Sequence, residues 1–383
     1  MIFKDEYEKF GYEIFGPFLK AFTEWLCPKI IEQNAEKVFF FSRDGFMMQK
    51  ACCLHQGFLE REIKHEYVYF SRNSLRRALL WDCGTYEESL KYLSNQRFIS
   101  FSELASYYGI QENEKDIIEK SFDILWTHNF LQSALLQNEK VKRFYSAYKA
   151  KINAESKRQY HDIVLYLKQI GMQGNVAIVD IGWHGAMQYY LELLLEKSGI
   201  DACITGYYIG INVIYSIKGN TYGFLFSKEN LEKRKKVLCS FGLLEKLFQS
   251  LEGSTDDYVN KQGIVVPVLK GYEYQDDLQI QGYIKSLQNG ALCYLKNPPD
   301  KKTSWKPLVA FGMNPTSKRL KLFSFFYNVD GEKLYFLPQK SIFRYRLKEF
   351  LVAFSNSCWK TGFMKAAFKL PFPYFWIYNV LRK

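Results

Sequence analysis

The sequence lacks the apolar runs, paired cysteines and metal-spaced histidines that mark several common protein classes. Its longest apolar stretch, residues 368–381, is shorter than the roughly 20 residues needed to cross a bilayer and is interrupted by prolines. None of its eight cysteines forms a C-x-x-C pair, and no histidine lies at a zinc-like distance from them. We therefore expect no transmembrane helix, no zinc finger, and reduced thiols rather than a disulfide framework.

Targeting signals are also missing from the start of the chain. Residues 1–16 are acidic and aromatic, which is typical of neither a signal peptide nor a transit peptide. With 48% hydrophobic and 24% charged residues, the composition indicates a globular protein rather than a disordered one. We expect a folded cytoplasmic protein of two or three structural units.

Acidic residues become scarce only near the end of the chain. Residues 301–383 hold 16 lysines and arginines against three acids, whereas residues 1–300 hold 36 against 37. Residues 340–383 interleave aromatic residues with basic ones. This pattern predicts docking to an anionic membrane surface. The alternative is a basic helical subdomain packed on the body. Because the body is neutral and carries no recognised RNA module, we expect no nucleic-acid partner.

Short apolar runs alternate with helical patterns in the body of the chain. Runs begin near residues 37, 66, 175, 203 and 222, and most of them lead into a helical pattern. Buried strands that alternate with helices are typical of an α/β fold with a largely parallel sheet. Ligands of such sheets bind outside the carboxyl ends of the strands. The tips of these strands are therefore the first place to look for a site.

The same patterns suggest how the chain is organised. Residues 1–85 and 171–228 form a split α/β core. Residues 86–170 form a helical insertion, a lid or an acceptor platform. Residues 229–300 form a helical region on the acceptor side, and residues 301–383 form the basic aromatic region predicted to dock on a membrane.

The first strand tip reads Ser42-Arg43-Asp44-Gly45. Free N–H groups at the following helix favour an anion, and Gly45 lets the backbone approach a ligand closely. Arg43 can bind a diphosphate in a bidentate manner. Asp44 can orient a sugar hydroxyl or hold Mg²⁺ through oxygen. The alternative is an ordinary turn in which Asp44 caps the helix.

The second strand tip repeats this pattern. Ser71-Arg72-Asn73 follows an apolar run, so that F-S-R-N-S-L parallels F-S-R-D-G-F of the first tip. Two arginine-bearing tips on one edge of a sheet favour an anion site, with Ser71 and Arg72 among its ligands.

The third strand tip begins at Asp180, after four apolar residues. Asp180 can bind vicinal hydroxyls or a metal ion. His184 can donate to a phosphate or act as an acid or base, or it can be a loop histidine bonded to backbone. Trp183 can stack on a ligand or pack internally, and Gln188 can face the ligand or the surface. Two glycines shape the loop, Gly182 and Gly185. The loop matches no P-loop, G-x-G-x-x-G, G-x-S-x-G or H-E-x-x-H pattern.

A further pair of acids lies downstream. Glu245 and Glu252 are seven residues apart, which places them on one face if their helix is continuous. Either carboxylate can act as a base that activates an acceptor hydroxyl. The alternative is a pair of solvated helix charges.

These motifs together resemble a family of bacterial proteins encoded among polysaccharide-biosynthesis genes and often labelled haloacid-dehalogenase-like hydrolases. The resemblance covers roughly residues 8–260. The matching motifs are Gly11-Tyr12, Gly16-Pro17, F-S-R-D-G at 41–45, Ser71-Arg72, D-I-G-W-H-G at 180–185, Met187-Gln188, Glu245-x-x-Phe248 and Gly253-Ser254. Phosphatases of that superfamily carry a second Asp two residues after the first, where this chain has Gly182. The resemblance implies that a separate phosphatase domain supplies that motif in some relatives.

The family also resembles type I phosphoribosyltransferases that put ribofuranose into bacterial glycans. The resemblance implies a type I phosphoribosyltransferase-like or Rossmann-like sheet, phosphoribosyl pyrophosphate as donor, Mg²⁺ as cofactor, and a lipid-linked glycan acceptor at the inner face of the membrane. It implies catalytic roles for Asp44, Asp180 and Glu245, with metal binding by Asp44 and Asp180. The implied donor-binding residues are Ser42, Arg43, Gly45, Ser71, Arg72, Gly182, His184 and Gly185. Two alternatives stay open: a phosphatase, and a non-catalytic docking module of a polysaccharide assembly complex.

Overall fold

The fold is built around a parallel sheet, as seen in a computed structural model that describes residues 2–94, 96–299, 303–330 and 332–381. Residue 1 of the predicted core, residue 95 of the predicted insertion, residue 300 of the predicted helical region and residues 301, 302, 331, 382 and 383 of the predicted basic region lie outside that part. The described strands are β1 (Lys37–Phe41), β2 (His65–Val68), β3 (Phe98–Ser100), β4 (Asn129–Leu131), β5 (Gly174–Trp183), β6 (Ala202–Ile211), β7 (Asn220–Phe226), β8 (Thr255–Lys261), β9 (Ile264–Leu269), β10 (Tyr327–Asp330) and β11 (Glu332–Tyr335).

Helices connect and cover these strands. The described α-helices are α1 (Glu6–Phe10), α2 (Gly16–Glu32), α3 (Gly45–Cys52), α4 (Gln56–Glu60), α5 (Arg72–Arg77), α6 (Tyr86–Leu90), α7 (Phe101–Tyr107), α8 (Lys115–Phe122), α9 (Glu139–Gln169), α10 (Ala186–Ser198), α11 (Arg234–Leu238), α12 (Phe241–Phe248), α13 (Leu278–Lys296), α14 (Lys306–Met313), α15 (Ser317–Leu320), α16 (Leu347–Asn356), α17 (Lys360–Phe368) and α18 (Tyr374–Leu381). A π-helical turn, Gly11–Phe15, joins α1 to α2.

The five-stranded sheet has the order β2-β1-β5-β6-β7, and all of its neighbouring strands are parallel. The predicted α/β class and parallel sheet are therefore confirmed. The chain runs outward from β1 to β2 and then returns to the other side of β1 at β5. This reversal makes the gap between β1 and β5 a switch point, where the tips of parallel strands leave a crevice.

Alternate side chains of each strand enter two different cores. In β1, Val38 and Phe40 pack with α2, α3, α12 and α13, whereas Phe39 and Phe41 face α5, α9 and α10. Successive side chains of a strand point to opposite faces, so the four consecutive apolar residues 38–41 must be covered on both sides. The two helical layers position the strand tips rigidly.

Residues 86–170 have a hydrophobic core of their own, centred on Phe101, Leu104 and Phe144. The long helix α9 links this core to the sheet, because Phe144 lies in the small core and Ile163 lies in the sheet core. The region also contains the antiparallel pair β3–β4, which the helical prediction missed.

Residues 229–300 were predicted as helical but include the antiparallel hairpin β8–β9. Its two-residue turn, Gln262 and Gly263, has positive φ at both positions (55° and 92°). Such turns match the twist of paired strands, and a glycine at the second position allows them. The prediction of a mostly helical region did not foresee this hairpin.

Much of the basic C-terminal region packs onto the body. Phe311, Phe323 and Trp359 belong to the main core, and the Trp359 indole N–H donates to the Gly312 carbonyl at 2.8 Å. Phe343, Leu347, Leu351 and Trp376 of this region stay exposed. Within the described part of the chain, no helix combines the length and apolar character required to cross a membrane.

Candidate functional site

The three predicted strand tips converge on one cavity of about 350 Å³ at the switch point. Residues from all three tips line it, and Glu245 of α12 closes one side. The predicted site residues in its lining are Ser42, Arg43, Asp44, Ser71, Arg72, Asp180, Gly182, His184, Gly185 and Glu245. Side chains separated by more than 200 positions in the chain are thus brought together by the parallel sheet.

The first tip presents Asp44 without using it as a helix cap. Asp44 precedes α3, and its side chain makes no capping hydrogen bond among the described residues, which counts against the capping alternative. Ser42 donates through its hydroxyl to the Phe70 carbonyl at 3.2 Å. Gly45 is required by close packing, since a Cβ there would lie 2.8 Å from the Phe40 carbonyl carbon.

Arg43 forms an ion pair with another residue of the protein. Its Nη1 donates to Glu273 Oε2 at 2.6 Å, and the same carboxylate pairs with the buried ammonium of Lys246. Burial alone would raise the pKa of Glu273, but Lys246 and Arg43 together lower it to about 2. Arg43 therefore lines the cavity as part of a fixed charge cluster, rather than as the free cation that the tip pattern predicts.

Ser71 and Arg72 play different roles at the second tip. Ser71 caps α5: its hydroxyl accepts from the Ser74 N–H, and the Ser74 hydroxyl accepts from the Ser71 N–H, each at 3.0 Å. Arg72 is exposed and has no ion pair within the described part of the chain. It lowers the pKa of Asp180 and of Glu245, so its charge is directed at the cavity. Arg72 is the cation best placed to meet an anionic ligand.

Asp180 is the most buried carboxyl of the site, with 8% of its surface exposed. Burial and the charge of Glu245 raise its pKa to about 6, although the N–H groups of Ile181 and Gly182 partly offset this. Burial also raises the pKa values of Asp44 and Glu245, and the neighbouring carboxylates raise that of Asp44 further. Asp180 can therefore exchange a proton near pH 6, and all three carboxyl groups favour a cationic partner.

The loop after Asp180 positions Glu245. Gly182 has φ of 101°, and a Cβ there would lie 2.6 Å from the Gly210 carbonyl oxygen. Trp183 follows with φ of 79° and donates its indole N–H to Glu245 Oε1 at 3.0 Å. Its ring is stacked parallel to that of Phe226. Trp183 thus orients a carboxylate and packs internally, a combination that sequence reasoning missed.

The rest of this loop is partly structural. Burial, together with Arg234 and Arg72, lowers the pKa of His184, so its ring is neutral at pH 7. Gly185, with φ of 81°, begins α10. Gln188 neither faces the ligand nor reaches the surface, because it is fully buried and accepts from the Tyr208 hydroxyl at 2.7 Å.

Glu252 is separated from Glu245 by a break in the chain. Helix α12 ends at Phe248, so the condition of a continuous helix is not met. Glu252 instead accepts from the hydroxyls of Tyr67 at 2.5 Å and Ser250 at 2.7 Å. Glu245 alone of this pair reaches the cavity.

Comparison with known proteins does not indicate a function for the site. The chain matches no known protein-family model. No curated protein matches it either. The resemblance to the polysaccharide-biosynthesis family, and the roles it implies, therefore stay predictions.

The carboxyl groups offer a donor set suited to magnesium. Within the described residues, no three His, Cys, Asp or Glu side chains lie close enough to hold a metal ion by themselves. Mg²⁺ commonly takes only one or two carboxylates and completes its shell with water and substrate oxygens. Asp44 and Asp180, which share the cavity, fit that pattern.

A second, larger cavity of about 870 Å³ adjoins the first. Arg43, Glu245 and Ser254 line both cavities, so they form the boundary between them. The far side is built by residues 270–277 and by the pair β10–β11. Glu273 lies on this side, and Lys246 of α12 pairs with it. No short-range pattern in the sequence points to the Arg43–Glu273 pair, because it spans 230 positions.

Proposed function

We propose that the chain is a phosphoribosyltransferase-type glycosyltransferase that uses phosphoribosyl pyrophosphate and acts on a lipid-linked glycan in surface polysaccharide synthesis. One observation carries the proposal: the carboxyl groups Asp44, Asp180 and Glu245 share one cavity at the switch point of a parallel sheet with Arg72, which has no ion pair among the described residues. This pairing of oxygen acceptors with a cation suits a ligand that has both hydroxyls and phosphates.

The donor occupies the smaller cavity in this proposal. Asp180 and Asp44 accept hydrogen bonds from ribose hydroxyls, and Arg72 faces the diphosphate. Charge builds on the diphosphate as its bond to C1 breaks, so a positioned guanidinium stabilises the transition state. Asp44 and Asp180 would hold Mg²⁺, which would help to neutralise the charge of the leaving diphosphate.

The acceptor occupies the larger cavity, with Glu245 at the boundary. The acceptor hydroxyl oxygen bonds to C1 of the ribose, the C1–O bond to diphosphate breaks with its electron pair, and the hydroxyl proton passes to the Glu245 carboxylate. The raised pKa of Glu245 makes it a better base than an ordinary glutamate. Polar and aromatic side chains suited to a glycan line this cavity: Tyr272, Gln275, Asp276, Asp277, Tyr327 and Asn328.

The product would carry a 5-phosphate, so a separate phosphatase is the expected partner for its removal. The proposed place of work is the cytoplasmic face of the inner membrane. The exposed apolar side chains of Phe343 (96% exposed) and Leu347 (76%) support this, because they lie among basic residues such as Arg344 and Lys348, and Trp376 (65%) adds a further exposed aromatic ring.

A turnover assay tests the reaction. Purified protein is incubated with phosphoribosyl pyrophosphate, Mg²⁺ and lipid-linked glycan acceptors, and pyrophosphate release is measured with the mass of the acceptor. We expect acceptor-dependent release that falls at least 100-fold in Glu245→Gln. A generic phosphate ester is the parallel substrate. Its hydrolysis, without transfer to any acceptor, would favour the phosphatase alternative, and inactivity on both would favour the docking module.

A further inference from the structure

A third cavity, of about 550 Å³, opens from the other side of the donor cavity. The two share Ser71, Arg72, Ser94 and Ser254. Its remaining wall comes from α5 and α7 and from Lys270, which follows the hairpin β8–β9. The wall is rich in cations and hydroxyls: Arg72, Arg76, Lys270, Ser94, Ser102 and Ser106.

Arg76 is a buried arginine in the wall of this cavity. It is 9% exposed, and its guanidinium donates to Ser94 Oγ at 2.8 Å and lies over the Tyr107 ring. Its buried Nε has no acceptor, and no carboxylate pairs with it among the described residues. A buried charge without a counter-ion is strongly unfavourable, so its retention at a cavity wall points to a missing anion.

The neighbouring residue Arg77 is a buried arginine with a structural role, and it serves as a comparison for Arg76. Arg77 is also buried and its Nε likewise has no acceptor among the described residues, but its guanidinium pairs with Asp256 at 3.2 Å and it does not line the cavity. Burial lowers the pKa of Arg76, and the like charge of Arg72 lowers it further. The carboxylate of Glu103 also lines the cavity, but it accepts from the Ser100 N–H at 2.6 Å and the Ser100 hydroxyl at 2.8 Å. Among its described lining residues, three cations, Arg72, Arg76 and Lys270, stand against the one carboxylate of Glu103, so the walls carry a net positive charge even though Lys270 also pairs with Asp256 at 3.6 Å.

We infer that this third cavity binds a phosphate or diphosphate group through Arg76, Arg72 and Lys270. Arginine forms strong, charge-assisted hydrogen bonds to phosphate oxygens, and serine hydroxyls satisfy the remaining lone pairs. The inference goes beyond the transfer reaction, since anion binding here requires no turnover. The group can belong to the diphosphate of the donor or to the phosphate of a glycan carrier.

Calorimetry with inorganic pyrophosphate tests the inference. Wild-type protein should bind it, Arg76→Gln should weaken binding at least tenfold, and Arg76→Lys should recover part of the loss. Arg77→Gln is the matched control, because it removes the same charge from the next buried position, and it should stay within about twofold of wild type. Equal binding by Arg76→Gln and wild type, or no binding by wild type, would overturn the inference.

Lys270→Gln is a second test variant that still examines the site if Arg76→Gln fails to fold. Its side chain is 43% exposed, so its replacement leaves the core intact, and it should weaken pyrophosphate binding severalfold at low salt. Unchanged binding there would also contradict the proposed site. Repeating the titration with phosphoribosyl pyrophosphate distinguishes the sources. If Arg76→Gln weakens the binding of phosphoribosyl pyrophosphate as much as that of pyrophosphate, the bound group is the diphosphate of the donor. If the variant weakens pyrophosphate binding alone, the bound group is the phosphate of the acceptor's glycan carrier.

Discussion

At the scale of single residues, the ionised carboxyl groups of the site lower the stability of the folded protein. Asp44, Asp180 and Glu245 are drawn together in a partly buried cavity, and burial raises the pKa of each of them. A carboxyl whose pKa is raised on folding destabilises the folded state once pH exceeds its unfolded pKa. Binding sites commonly carry such a cost, which a cationic partner relieves.

Replacing Asp180 by Asn should therefore stabilise the protein while impairing donor binding. The pKa of Asp180 is raised from 3.8 to about 6, so its ionisation costs roughly 2–3 kcal/mol at neutral pH. The amide oxygen can still accept from the Ile181 and Gly182 N–H groups. Urea denaturation should show the gain above about pH 6 and its disappearance near pH 4. A variant that is less stable at pH 7 would contradict this account.

Replacing Glu273 by Gln should have the opposite effect on stability. The change leaves Lys246, which is 2% exposed, and Arg43 without their shared carboxylate. We expect a loss of about 3 kcal/mol at neutral pH. Because the pKa of Glu273 is lowered to about 2, its stabilisation is present above about pH 4.5 and is lost as pH falls toward 2.

Glu155→Gln is the matched control in the same denaturation series. Glu155 also pairs with an arginine, Arg158, but the pair is substantially exposed to solvent. Its loss should cost less than about 1 kcal/mol. A similar cost for the two variants would show that burial does not set the strength of the Glu273 cluster.

At the scale of elements, the tip of β5 depends at Gly182 on a backbone conformation that residues other than glycine rarely adopt. Gly182→Ala should cost about 2–3 kcal/mol, because it adds a clash with the Gly210 carbonyl to the strain of positive φ. Gly199→Ala, at φ of 66° in open space, carries the strain alone and should cost about 1 kcal/mol. Thermal unfolding measures both, and equal shifts would rule out a role for the clash.

The exposed part of the C-terminal region is the element expected to bind membranes. Replacing Phe343, Leu347 and Leu351 with Ser should reduce sedimentation with phosphatidylglycerol-containing vesicles at least tenfold. The control replaces Ile117, Leu125 and Leu278, which are comparably exposed elsewhere, with Ser. If both triple variants bind vesicles like wild type, the membrane role of this region is wrong.

The strands of the main sheet could be predicted because each one is a short apolar run with a turn signal at its end. The hairpins were harder to predict. The β8 segment, T-D-D-Y-V-N-K, is polar, and its stability comes from pairing with β9 and from Tyr258, which packs against the sheet core. Contacts of this kind are distant in sequence and leave no local periodicity.

At the scale of the whole molecule, the positions of the three tips could be predicted from the rule that parallel strands end at one edge. The partners of the tip residues could not. Arg43 is held by Glu273, some 230 positions away, and Trp183 is bonded to Glu245, some 60 positions away. Such pairings depend on how the C-terminal half folds over the sheet.

The basic C-terminal region also belongs to this scale, because it packs on the rest of the protein. The basic region contributes Phe311, Phe323 and Trp359 to the main core, so it is part of the folded body and is not simply an appended tail. Its exposed residues lie far along the chain from the strand tips. We therefore expect membrane binding and donor binding to be separable by mutation.

The most direct test of the central claim is a crystal structure with phosphoribosyl pyrophosphate and Mg²⁺. The account predicts the ribose beside Asp180 and Asp44, and the diphosphate facing Arg72, within the cavity at the β1–β5 switch point. A donor bound elsewhere on the molecule, or no bound donor at saturating concentration, would contradict it.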